Sequence, residues 1–290
     1  MLKIFGFISG LLLALSLQAA TFTYQPLAKD WQRALQKAEY WHKNCPVPLD
    51  RLSLLTLSYY DFEGKERIGQ IVVLDAMAAE VVAAFKELYQ RRFPLEAPQV
   101  ISPGDQDATT GLTVAFNCRA LTGGGVTSLH SYGAAIDINV AHNPYLGSYR
   151  SLADGKWVGR LIPPTGLSYL NRRVQRPGMN EAIVDIMQRH GLSTWGGAWL
   201  DTIDYMHFQI SRNIAQHLAA LPTSEAEKLY ALTIRYPKSA VNLSADSRWF
   251  YLYKLYPQRY MDVFSKYFPQ LSSTKESEVF TQISQTLANG

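Results

Sequence analysis

The sequence predicts an α+β fold, a small antiparallel sheet with packed helices, followed by a helical extension. Three observations carry this. Residues 52–62 and 67–74 are β-rich runs separated by Glu63-Gly64-Lys65-Glu66, a hairpin signature. Residues 29–44 and 76–92 have helical spacing, the second with Asp75 placed to cap it. From about residue 213 the chain turns to helical and aromatic segments without a polar constellation.

Taken in order, the first twenty residues divide into a basic start at Lys3, an apolar stretch and a small-residue end at Ala19-Ala20, the pattern of a secretory signal. The apolar stretch is shorter than the ~20 residues a bilayer span needs. The mature chain is therefore expected to be exported and soluble, in the periplasm or cell envelope. Residues 21–212 form the expected main domain and residues 213–290 the extension. Trp31, Leu35 and Ala38 share a helical stripe that Pro46 and Pro48 stop. Residues 112–118 read as a short strand closed by Arg119, with a flexible Thr122–Gly125 turn after it. Residues 141–180, rich in Gly, Pro, Asn and Arg, read as a long covering loop. Asn180 is placed to cap a helix at 181–190, residues 205–210 to form a strand, and Thr223 to cap a further helix.

The net charge of +4 with no Lys/Arg run offers no electrostatic footprint for nucleic acid. The only cysteines are Cys45 and Cys118, and export makes a disulfide between them the expected state. There is no His-Glu-x-x-His and no Gly-x-Ser-x-Gly, which excludes the helical metalloproteases and the serine hydrolases of that elbow type.

The chemistry concentrates in two short stretches, His130 to Asp137 and Asp204 to His207. Two imidazoles and a carboxylate supply the three protein ligands usual for a catalytic zinc, which keeps one position open for water. His130 and Asp137 lie seven apart, so on one straight strand they would face opposite ways. The Ser131-Tyr132-Gly133 turn must therefore fold His130 back. In the second stretch Tyr205, His207 and Gln209 share one strand face. Asp204 has the wrong parity and must sit at a bend, where it can act as general acid/base. Asp201 is its rival for that role.

Phe116-Asn117-Cys118-Arg119, Ser128-Leu129-His130-Ser131-Tyr132-Gly133-Ala134-Ala135-Ile136-Asp137-Ile138-Asn139, Asn143-Pro144-Tyr145, Trp195-Gly196-Gly197-Ala198-Trp199 and Asp204-Tyr205-Met206-His207-Phe208 occur in that order. The ordered set, spanning roughly residues 49–210, resembles the zinc D-Ala-D-Ala carboxypeptidase and L-Ala-D-Glu endopeptidase family, which acts on peptidoglycan peptides. The resemblance implies a hedgehog/DD-peptidase-like fold and one Zn2+ per chain held by His130, Asp137 and His207. It further implies Asp204 as catalytic acid/base and Arg119 as holder of a substrate carboxylate or developing oxyanion. Ser128 and Tyr132 are implied near the substrate, with Trp195 and Trp199 walling the cleft. Two positions depart from the family's usual pattern, Asn139-Val140 where Asn-Pro is frequent and Asp204 where several members have Glu. The alternative is a non-catalytic zinc or peptidoglycan-binding module on the same scaffold, which would have no need of Asp204.

Overall fold

The computed structural model describes residues 19–100, 112–121, 125–150, 153 and 155–289. Most of the signal-like segment, residues 101–111 and residues 122–124 of the expected glycine-rich turn lie outside these residues. Among the described residues, no helix is long and apolar enough to cross a membrane.

The hairpin predicted from the two β-rich runs is present. Strands β2 (Leu52–Tyr60) and β3 (Glu66–Leu74) pair antiparallel along their full length, and β1 (Phe22–Pro26) adds to the outer edge of β2. Asp61 closes the turn by accepting the amides of Glu63 and Lys65. α1 (Lys29–Lys37) is shorter than its periodicity suggested, because Glu39 adopts φ +59° and turns the chain. α2 (Ala78–Gln90) lies on this sheet, burying Val81, Ala84, Phe85 and Leu88.

The remaining strands are short. β4 (Ala135–Asp137), β9 (His207–Gln209) and β7 (Thr194–Trp195) form a second sheet in the order β4-β9-β7. β6 (Trp157–Ile162), β5 (Tyr145–Arg150) and β8 (Ile203–Asp204) form a third, in the order β6-β5-β8. The third sheet corrects the reading of 141–180 as a loop. Glycines and arginines mask its alternation, and β8, which it pairs with, lies some sixty residues downstream. Residues 112–118 are extended but make only isolated bridges, Thr113 to Pro98 and Val114 to Asp137, rather than a strand.

Asn180 is not a helix cap. It is fully buried and its side-chain amide donates to the carbonyls of Ile138 and Tyr205, while a 3-10 turn precedes the short α3 (Val184–Arg189). Buried Asn143 is held beside it, accepting the Asn180 amide and the Arg172 guanidinium. Through these donated bonds the two amides fasten the 141–180 segment beneath the second sheet, each bond contributing on the order of 0.5–1.5 kcal/mol, while Asn180 Oδ1 is buried without a partner.

His142 is stacked on Phe62 (4.0 Å) and meets Tyr169 edge to face (4.6 Å). Burial, with the Arg176 charge adding, pulls its imidazole down to about 4 from 6.5. Unfolding frees the ring to take up a proton near 6.5. Between those values the unfolded chain binds more protons, and stability falls as pH falls. The urea midpoint is expected to drop between pH 6.5 and 4, and less steeply in His142→Phe, which keeps the stacking. An equally steep drop in the variant would assign the effect to other groups, such as buried His217, whose imidazole is lowered in the same direction.

The C-terminal segment consists of α4 (Arg212–Ala220), α5 (Thr223–Arg235), α6 (Pro237–Asn242), α7 (Ser247–Leu255), α8 (Tyr260–Tyr267) and α9 (Glu276–Ala288). Trp249, Phe264 and Phe268 are buried among these helices, and the apolar core runs from them into the sheet-bearing part. A buried ion pair joins the two parts. Arg51 donates from Nε and Nη2 to the Asp75 carboxylate, and from Nη1 and Nη2 to the carbonyls of Leu218, Ala219 and Leu221 at the end of α4. Thr223 does not cap α5 and instead donates its hydroxyl to Asp75. Asp75 is thus engaged mainly by Arg51, and α2 starts beyond it at Ala78.

Cys45 and Cys118 are disulfide-bonded with Cα atoms 5.9 Å apart. The bond ties the segment after α1 to the residue before Arg119. A sequence separation of 73 corresponds to roughly 4 kcal/mol in the chain-entropy account, where measured values run from about 2 to 4. Cys45→Ser/Cys118→Ser is expected to lose that much in urea unfolding. A loss below about 0.5 kcal/mol would show that the cross-link does not constrain the unfolded chain.

Candidate metal centre

His130 sits on a single 3-10 turn, Leu129–Tyr132, rather than on a strand. Ser128 begins the turn and accepts the His130 amide on its hydroxyl. Gly133 ends it at φ +65°, in the left-handed region. The reversal required by the seven-residue spacing is therefore made by a helical turn plus one glycine. Asp137 ends β4 directly opposite His207 on β9, so the two side chains leave the same face of the sheet.

The three donors converge. His130 Nε2 lies 3.2 Å from His207 Nδ1 and 3.2 Å from an Asp137 oxygen, and His207 Nδ1 lies 2.9 Å from the other Asp137 oxygen. All three residues are buried, at 3, 8 and 7% exposure for His130, Asp137 and His207. Zinc–ligand bonds of about 2.0–2.1 Å in a tetrahedron set ligand atoms roughly 3.3 Å apart, close to these spacings. The outer nitrogens are also committed. His130 Nδ1 faces the Ala115 carbonyl at 2.5 Å, and His207 Nε2 faces the Gln209 side-chain carbonyl at 2.7 Å. Each outer nitrogen must carry its proton to make those bonds, which leaves the inner lone pairs aimed at one another. Two facing lone pairs repel unless a cation or proton lies between them, so the donor set fits a metal ion.

The electrostatics agree in direction. Burial opposes ionisation of Asp137, yet the two imidazoles hold its carboxyl well below the ordinary range. Burial likewise opposes protonation of His207, and the hydrogen bond and charge of Asp137 still raise it to about 9. Burial lowers His130.

Asp204 is the last residue of β8, and Tyr205-Met206 bends the chain into β9, as parity required. One of its carboxylate oxygens, Oδ1, is buried without a hydrogen-bond partner. Burial raises its carboxyl to about 7, with His207 and Arg119 opposing and Asp137 adding. Asp201, the rival, is exposed on the preceding loop. Arg119 is exposed. Its backbone is stitched to the motif because its amide donates to the Ser131 hydroxyl, and its carbonyl accepts from Ser131 Oγ and the Ser128 amide.

The aromatic and polar neighbours separate. The Trp199 ring lies 5.5 Å from that of His207, at the edge of the metal face. Trp195, expected beside it, is paired across the ladder with Phe208 and shares that residue's face, away from His207. Its indole N–H donates to the Tyr205 carbonyl, so it packs the sheet. Ser128, expected near substrate, is 1% exposed and acts as the cap of the His130 turn. Tyr132 is half-buried against the core. Gln209 is an addition to the expected set, although its parity with His207 was visible in the sequence.

Residues 122–210 match the family model described as D-alanyl-D-alanine carboxypeptidase. That segment is similar to this family over less than a third of the chain's length. The matched segment contains His130, Asp137, Asp204 and His207; Arg119, the disulfide and the C-terminal helices lie outside it. No curated protein and no solved structure gives a significant match.

Proposed function

We propose that the chain is a zinc-dependent peptidase of the cell envelope that hydrolyses peptidoglycan stem peptides. The observation that carries this is the convergence of three buried donors, with both histidine tautomers set from outside, beside a buried carboxylate oxygen that has no partner. His130 Nε2, Asp137 and His207 Nδ1 would hold the ion. Zinc, when bound, supplies Lewis-acid polarisation of the amide carbonyl and of the attacking water. Asp204 removes the proton from that water and passes it to the departing amine, a task suited to a carboxyl raised toward neutrality. Arg119 fixes a substrate carboxylate or the developing oxyanion, and Trp199 confines the peptide at the mouth of the site.

The test combines metal analysis with mass spectrometry of defined stem peptides. One zinc per chain and a single cleaved amide bond are expected. The mass of the products then distinguishes removal of a terminal D-alanine from cleavage between L-alanine and D-glutamate. Zinc binding without cleavage of any stem peptide would overturn the enzymatic reading and leave a binding module.

A further inference from the structure

The β5–β6 hairpin joins the site through β8, and its register decides which side chains face the chemistry. Tyr145 pairs with both Asp204 and Ile162, and two residues further along Gly147 pairs with Arg160. Directly paired residues share a face and alternate residues return to it. Asp204, Tyr145, Gly147 and Arg160 therefore stand on one face of the third sheet. A Cβ on Gly147 would lie 2.3 Å from the Tyr145 hydroxyl and 2.6 Å from its ring. The ring is therefore laid along the strand over Gly147, toward the position opposite Arg160, and only glycine leaves room for it.

Arg160 is exposed and makes no ion pair or side-chain hydrogen bond among the described residues. The neighbouring arginines are engaged otherwise. Arg172 binds Glu181 and Asn143, and Arg176 covers the Tyr169 ring and donates to the Ser168 carbonyl. Two inter-strand steps and two residues of rise put the Arg160 and Asp204 Cα atoms about 12 Å apart. An extended peptide advances about 3.3–3.6 Å per residue. With its long side chain, Arg160 can then reach a peptide group one or two residues from the bond beside Asp204.

We propose that Arg160, with the flattened Tyr145 ring as floor, is a specificity-determining residue that takes a free carboxylate of the peptide substrate flanking the scissile bond. This rests on the peptidase reading above, and its test separates the two. Two stem peptides are compared that differ only in whether the D-glutamyl carboxyl is free or a carboxamide. Binding is measured by calorimetry on the zinc-loaded Asp204→Asn chain, so that turnover is not needed. The free acid is expected to bind about three- to tenfold more tightly, as suits a charge-assisted pair in an open cleft, and this preference should shrink with salt. Adding Arg160→Gln should bring the ratio to about one, and Arg160→Lys should keep part of it. An unchanged ratio in Arg160→Gln, or no preference in the first place, would overturn the proposal. Cleavage of the same peptides by the unsubstituted chain reports separately on the peptidase reading.

Discussion

Asp204→Asn is expected to keep its zinc and to lose peptide hydrolysis by about 10²–10⁴-fold, the usual worth of a general acid/base. The substitution preserves shape and removes only the ability to cycle a proton. It leaves the three converging donors untouched, because Asp204 contributes no atom to the group of His130, Asp137 and His207. Metal content, peptide binding and turnover should therefore separate cleanly, with stoichiometric zinc, retained binding and lost turnover. Turnover within fivefold of the unsubstituted chain would remove Asp204 from the chemistry and return attention to Asp201.

Gly133→Ala is expected to destabilise the fold by about 4 kcal/mol and to weaken zinc binding. Alanine at φ +65° is strained by about 1–2 kcal/mol. Its methyl would also stand 2.5 Å from the Leu74 amide nitrogen and 2.9 Å from the Val73 carbonyl carbon, both backbone atoms of β3. Neither can rotate away. The strand must retreat, breaking the bond from the Leu74 amide to the Gly133 carbonyl and overpacking the interior, for a further 2–4 kcal/mol or so. The His130 turn moves with it. Urea unfolding and a competitive zinc titration measure both effects. A variant within 1 kcal/mol of the unsubstituted chain and with the same zinc affinity would show that the turn can relax around a methyl group.

The candidate metal centre was legible in the sequence to the extent that it depends on parity. His207 and Gln209 on one face, Asp204 off it, and a forced reversal between His130 and Asp137 all follow from a period of two residues, and the structure contains each. What parity cannot give is partnership between distant segments. The pairing of Trp195 with Phe208 places that indole on the packing side, and only the register of β7 with β9 reveals it. Ser128 carries the residue type of a substrate contact and the position of a cap, and burial decides between them. The β5–β6 hairpin was hidden for a related reason. Its Gly147 and Gly159 weaken β propensity, and its inner edge is satisfied by two residues of β8. Asn180 and Thr223 have the chemistry of helix caps, but buried acceptors elsewhere claimed their side chains.

The Arg51 guanidinium gathers five acceptor contacts from two parts of the chain, two from the Asp75 carboxylate and three from carbonyls at and just beyond the end of α4. Losing one side of a buried, charged arrangement of this kind costs on the order of 3–5 kcal/mol. A recombination event that joined residues 21–212 to a foreign tail would leave that cation facing missing carbonyls and Asp75 missing the Thr223 hydroxyl. The C-terminal helices are therefore poorly suited to being shuffled as a cassette. Heredity should move them together with the half that carries His130, Asp137 and His207, and a lineage that exchanged the tail would be expected to change Arg51 and Asp75 as well.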